Sequence, residues 1–163
     1  LSFPVNKGQQ TAIFEGIIHA KGDIILNTDA DLPFVESDIL QMLQLTKNKY
    51  EVVFGRRRTV WKKNWWRRIG SFFGNAIFNL LFRYKIYDFG CSVAAVRREV
   101  VDRLRERKYP PKLIKLEVLR IAKSYIEFEL QPNENSSKGK SSYTAVKLFK
   151  LLLQIFLCRV WRN

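Results

Sequence analysis

The chain has 163 residues, 47% of them hydrophobic, with a formal net charge of +14 and a pI of about 10.0. That length and apolar content exclude a disordered chain and suit a domain with its own core. The charge implies an anionic partner: nucleic acid, acidic lipid headgroups or a phosphorylated substrate.

The chain opens Leu1-Ser2-Phe3, with no Met and no signal peptide, so a fragment or a processed chain is expected. Asn6 is a reasonable cap for a helix over 8–20, in which Ala12, Ile13, Gly16, Ile17 and Ala20 recur at helical spacing. Its single histidine, His19, reads as a surface residue at the helix end. Lys21-Gly22 stops the helix, and a strand over 23–28 follows. That strand runs into Asp29-Ala30-Asp31. Side chains alternate along extended backbone, so carboxylates at i and i+2 point the same way. If the strand is a central one, this is the rim where α/β sheets place ligands. Two hard oxygen donors there suit Mg²⁺ or Mn²⁺, and through the metal a diphosphate. Alone, the triplet reads equally as a polar turn.

A helix over 36–46 with Ile39, Leu40 and Leu43 inward leads to a strand over 51–55 and then Arg56-Arg57-Arg58. From Val52 to Tyr87 there are nine Lys or Arg residues and no Asp or Glu, interleaved with Trp61, Trp65, Trp66, Phe72, Phe73, Phe78 and Phe82. That mixture describes a segment at an anionic membrane surface. It also admits a solvated basic face, or a nucleic-acid platform that stacks bases. The nucleic-acid reading leaves Asp29 and Asp31 without a role, and zinc spacing, an RNP-like strand and a helix-turn-helix signature are all missing.

A long helix over 65–82 is expected next, then a loop entering a strand over 87–96, and a helix over 98–105. Pro110-Pro111 breaks the chain, a helix follows over 112–123, and 124–131 alternates as a half-buried strand. Residues 132–142 form a polar loop, and 143–163 an amphipathic helix. No apolar run reaches the roughly 20 residues of a spanning helix; the longest candidate, 148–161, is broken by Lys150, Gln154 and Arg159. Cys91 and Cys158 lie far apart, match neither a metal spacing nor a disulfide framework, and fit a reducing compartment as plain buried residues. Alternating helices and strands imply a layered α/β fold with a largely parallel sheet.

An ordered set of motifs carries a resemblance. Asn6-Lys7-Gly8, Ala20-Lys21-Gly22-Asp23, Asp29-Ala30-Asp31-Leu32 and Val53-Phe54-Gly55-Arg56-Arg57 resemble the family 2 glycosyltransferases of the GT-A, Rossmann-like fold. Tyr87-Asp88-Phe89-Gly90-Cys91, Val96-Arg97-Arg98-Glu99-Val100-Val101 and Gly139-Lys140-Ser141-Ser142-Tyr143 narrow this to the polyprenyl-phosphate branch, which holds dolichol-phosphate mannose synthases, bactoprenol glucosyltransferases and undecaprenyl-phosphate aminoarabinose transferases. The resemblance implies a GT-A domain over 1–142, lacking the N-terminal βαβ unit that holds the nucleotide base, followed by an interfacial helix over 143–163. It implies an inverting transfer of a sugar from a nucleotide diphosphate to a polyprenyl phosphate at the cytoplasmic membrane face. Asp29 and Asp31 then take the roles that hold Mg²⁺ or Mn²⁺ on the donor. The position that often adds a glutamine to that metal holds Pro33, which offers no side-chain ligand. Arg57, Arg67 and Ser71 match the acceptor-phosphate residues; Arg56, Arg58 and Arg68 also suit a membrane surface. Arg67 and Ser71 fall on one helix face at i, i+4. Lys138 or Lys140 stands where the family's mobile loop closes an arginine over the phosphates. Asp88 is the candidate for the remaining acidic role, orienting the sugar or the acceptor, and reads otherwise as a turn before a strand. A noncatalytic transferase fragment is the remaining alternative.

Overall fold

A computed structural model describes residues 3–29, 34–58, 75–76, 78–80, 82–107, 111 and 113–133. In chain order they form α1 (Gln9–His19), β1 (Ile24–Asn27), α2 (Glu36–Asn48), β2 (Val52–Arg57), β3 (Ala94–Arg97), α3 (Arg98–Arg105), α4 (Ile114–Ile121) and β4 (Tyr125–Leu130). Asn75, Ala76, Phe78, Asn79, Leu80 and Phe82 are helical as well, within the helix expected over 65–82. The amphipathic helix over 143–163 lies outside the described residues.

The four strands form one sheet in the order β1-β3-β2-β4. The expectation of a largely parallel sheet needs correction. Only β2 and β4 pair in parallel; β3 is antiparallel to both β1 and β2. β3 is entered from the long segment after β2 and slots between β1 and β2 in the reverse direction, leading straight into α3. β1, β2 and β4 therefore point the same way, and their C-terminal ends share one rim with the residues that lead into β3. β1 sits at an edge of the described strands rather than at their centre.

Alternation along the strands divides the core. Ile25, Val52, Phe54, Ala94 and Val96 face a cluster built with Phe14 and Ile17 of α1, Val100, Val101 and Leu104 of α3, and Leu116 and Leu119 of α4. Val53, Ala95 and Leu130 face the opposite way, onto Ile39 and Met42 of α2. The result is a sheet with helices on both sides. In α2 the inward stripe runs Asp38, Ile39, Met42 and Thr46, and Leu40, expected inside, is 60% exposed. The stripe turns about one residue from the expected one because Asp38 is drawn in, where its carboxylate accepts the Gln131 backbone N–H at 2.7 Å. Asn6 does not cap α1 directly: its Oδ1 accepts the Gly8 N–H at 2.8 Å, and Gly8 is the cap residue. Arg97, at the end of β3, donates to the Thr46 and Lys47 carbonyls at the C-terminus of α2, which ties the sheet to that helix end.

Candidate functional site

The rim positions the site. Register places Asn27 of β1, Ala94 of β3 and Phe54 of β2 at one level, so Asp29, two residues past β1, and Arg57, the last residue of β2, lie at the same rim, with residues 88–92 between them. The chain leaves this rim at the β1 edge and is back at the β4 side by Phe34, which bridges Pro132. Asn27 holds the segment before β3 by donating to the Ser92 carbonyl at 2.7 Å. Ser92 Oγ in turn donates to Asp29 Oδ1 at 3.0 Å. Gly55 lets β2 run close under this arrangement: a Cβ there would meet Leu130 Cδ1 at 2.5 Å and Val93 Cβ at 3.1 Å.

Arg57 and Asp88 form a two-pronged pair. Arg57 Nε donates to Asp88 Oδ2 at 2.8 Å, its terminal nitrogen to Oδ1 at 2.9 Å, and its backbone N–H to Oδ2 at 3.1 Å. Burial raises the Asp88 pKa, but the hydrogen bonds and charge of Arg57 outweigh it and hold the carboxyl below its ordinary range. Arg57 is driven up, first by its hydrogen bond to Asp88, and Asp29 adds to the rise at longer range. Gly90 leaves space for the guanidinium, since a Cβ there would lie 3.1 Å from the Arg57 terminal nitrogen. The loop bearing Asp88 is itself pinned. Glu127 of β4 accepts the Tyr87 and Asp88 N–H groups at 2.6 and 3.0 Å, and Asn75 accepts the Phe89 N–H at 3.1 Å. Asn79 pairs with both the N–H and the carbonyl of Ile86.

A cleft of about 250 Å³ opens on this rim, and its walls include Asp29, Arg57, Gly90, Ser92 and Lys115. One side is apolar, from Ile13 and Ile17 of α1 and from Leu113, Ile114 and Val118 at and in α4. Lys115 donates to the Asp88 carbonyl at 2.6 Å and stands over the Phe54 and Phe89 rings, 4.9 and 5.9 Å from their centroids. Burial lowers its pKa, and neighbouring Arg57 adds to the fall against the opposing effects of Cys91, Glu127 and Asp88. Cys91 is buried at the cleft wall with its thiol pushed up by burial and then by Asp88, consistent with an inert core residue. His19 is exposed, and its Nδ1–H donates to the Glu15 carbonyl, 2.9 Å away.

The structure thus brings together Asp29 and Arg57 at one cleft and sets Asp88 directly behind Arg57. Asp31, Arg67, Ser71, Lys138 and Lys140 lie outside the described residues. The sequence reading passed over Lys115, Ser92 and Glu127. None of the three left a distinguishing signal there: Lys115 is one of several charged residues in its helix, beside Glu117 and Arg120. As to a cation, Asp29 offers a carboxylate exposed at the cleft, a hard donor suited to Mg²⁺ or Mn²⁺. Among the described residues no three His, Cys, Asp or Glu side chains gather at one point, so Asp31, water and the ligand's own phosphates would complete such a site.

The family profile described as glycosyl transferase family 2 matches residues 1–105, and the chain belongs to that family. Among curated proteins, the undecaprenyl-phosphate 4-deoxy-4-formamido-L-arabinose transferase of Proteus mirabilis is 29% identical over 153 residues, 94% of this chain and 46% of the relative. The proteins of the same name from Sodalis glossinidius and Edwardsiella ictaluri are each 28% identical over the same spans. The chain therefore covers about half the length of these relatives.

Proposed function

We propose that this chain is the catalytic portion of a transferase that moves a sugar from a nucleotide diphosphate to a polyprenyl phosphate at a membrane surface, with inversion. The observation that carries the reading is the shared cleft: Asp29 at the end of β1 and Arg57 at the end of β2 face one space. The relatives' names, which specify undecaprenyl phosphate and a transferred sugar, agree with it.

In this reading Asp29 and Asp31 hold a divalent cation, whose chemistry is to neutralise charge on the departing diphosphate. Arg57 binds the acceptor phosphate, for which its planar fork is suited. Asp88 is a positioning residue: its carboxylate aims the guanidinium and leaves the remaining N–H groups for the ligand. Arg67 and Ser71 extend the acceptor site, and Lys138 or Lys140 closes on the phosphates. The acceptor is an anion at neutral pH, so it attacks the anomeric carbon without a strong general base, which fits a rim with no histidine among its described residues. Two exposed apolar side chains, Leu80 and Tyr87, 79% and 66% exposed, accompany Arg56, which stacks on the Tyr87 ring at 5.3 Å. They support contact with an anionic membrane. No helix among the described residues is long and apolar enough to cross one.

The test is a transfer assay on membranes expressing the complete coding region, with undecaprenyl phosphate and a panel of radiolabelled sugar nucleotides. Mg²⁺- or Mn²⁺-dependent formation of a lipid-linked sugar, abolished by Asp31→Ala, is expected. A folded, membrane-bound protein that transfers no sugar from the panel would instead favour the noncatalytic alternative.

A further inference from the structure

We propose that Lys115 is an anion-binding residue of the cleft, taking a phosphate oxygen of a substrate on the two N–H groups it does not give to the protein. The proposal rests on the transferase reading above for the identity of that substrate, and on geometry for the rest.

An ammonium carries three N–H donors. Lys115 spends one on the Asp88 carbonyl. Among the described residues no carboxylate lies within 4.0 Å of its nitrogen, whereas the charge of Arg57 is paired with the Asp88 carboxylate, with some of its N–H groups left over. Among the described residues of the cleft, Lys115 is therefore the cation without a carboxylate partner. Its position is costly on three counts. It is partly withdrawn from water, a loss that the faces of Phe54 and Phe89 beneath it offset only in part, it stands near the like charge of Arg57, and it is the second residue of α4. The first turn of a helix carries partial positive charge, so a cation is disfavoured there and an anion favoured. Each count reverses when a phosphate occupies the cleft. The anion answers the ammonium, relieves its repulsion from Arg57, and sits at the α4 N-terminus, whose Leu113, Ile114 and Lys115 line the same space. Lys115 and Arg57 reach Asp88 from its two polar ends, carbonyl and carboxylate, so a single phosphate-bearing ligand in the cleft lies within reach of both cations.

The anion is either the phosphate of the lipid acceptor or the diphosphate of the donor, and the experiment separates them. The protein expressed from its complete coding region is compared with Lys115→Met, Lys115→Gln and Lys115→Arg. KM is measured for polyprenyl phosphate and for the sugar nucleotide, and melting is followed with inorganic phosphate and with pyrophosphate. Loss of charge is expected to weaken the anion by about tenfold or more in both Met and Gln variants, with Arg retaining most of the affinity. A rise confined to the lipid KM assigns the acceptor; one confined to the nucleotide KM, with a lost pyrophosphate shift, assigns the donor. Gln still donates to the Asp88 carbonyl. If Gln matches the wild type while Met fails, or if both neutral variants unfold, the lysine serves the loop alone and the proposal falls; it falls too if all KM values and shifts stay put. A wild type that makes no lipid-linked sugar, yet melts higher with pyrophosphate only when Lys115 or Arg is present, would overturn the transferase reading and leave this site standing.

Discussion

The Arg57–Asp88 pair makes a quantitative forecast. Asp88→Ala removes all three bonds that the carboxylate accepts from Arg57, but the freed guanidinium, 42% exposed, rehydrates readily. Bonds to charged groups are worth about 1.5–3 kcal/mol, and the exposure places this loss at the lower end, about 2 kcal/mol. Arg57→Met does the reverse. It strands a carboxylate only 11% exposed, and breaking a covered pair from that side costs about 3 kcal/mol or more. With about 2–4 °C per kcal/mol for a chain of this size, Asp88→Ala should lower Tm by about 4–8 °C and Arg57→Met by about 6–12 °C. The double variant leaves neither charge stranded and should cost about 3 kcal/mol, a coupling of about 2. Urea unfolding at pH 7, followed by circular dichroism, reads all four corners of the cycle. A coupling below about 0.5 kcal/mol would show that the two side chains act independently. An Asp88→Ala cost well above that of Arg57→Met would show that Asp88 serves some partner other than Arg57. Either result would remove the positioning role assigned to Asp88.

Gly55→Ala forces a Cβ to within 2.5 Å of Leu130 Cδ1 and should cost about 1–3 kcal/mol by overpacking; Leu130→Ala in the same chain should recover part of that loss in thermal melts, and a fully additive pair would refute the clash. Gly90→Ala presses on the Arg57 guanidinium, so it should raise KM for polyprenyl phosphate with little change in Tm. Asp88 has a folded pKa below its unfolded one, about 3.9, so its stabilisation is complete above that value and is lost as pH falls through the lower folded one. Glu51 behaves likewise: burial raises it, but the Lys123 N–H and Arg103 outweigh that. Asp88→Asn should flatten the acid limb of a stability–pH curve below about pH 5, and an unchanged limb would contradict the pair. Chelation with EDTA, or Asp29→Ala, should abolish transfer while leaving the melt in place, because Asp29 is exposed and, among the described residues, its carboxylate accepts a hydrogen bond from Ser92 alone.

What the sequence made legible follows from the range of the forces involved. Helices α1, α3 and α4 and strands β1, β2 and β4 were readable within a few residues because periodic burial and helix stops act over short spans. Local signals say nothing of which way a strand runs beside its neighbours, and the antiparallel insertion of β3 went unread for that reason. Leu40 was misplaced because one buried acid, Asp38, turned α2 toward a backbone N–H that lies 93 residues away in the chain. Motif register singled out Asp29, Arg57 and Asp88 as candidates, but it could not tell that Asp88 turns onto Arg57, since their hydrogen bonds join residues 31 apart. Lys115 was missed because a lysine in a helix that also carries Glu117 and Arg120 is normally a solvated one; only the rings of Phe54 and Phe89, from a strand and a loop remote in sequence, make it otherwise.

The reversed strand is also what makes a site of these residues. Were β3 parallel to β1 and β2, its first residues would lie at the opposite end of the sheet, and Asp88, Gly90 and Ser92 with them. Because it enters from the rim where β1 and β2 leave, the loop before it is laid between an acid and an arginine. There it supplies Ser92 to Asp29, the Asp88 carboxylate to Arg57 and the Asp88 carbonyl to Lys115. One short segment thus orients an anion and two cations around a single cleft, while Glu127 and Asn75 hold its backbone. Such a rim carries an uncompensated cation at little cost only when its ligand brings negative charge, and a phosphorylated acceptor or a sugar diphosphate meets that need.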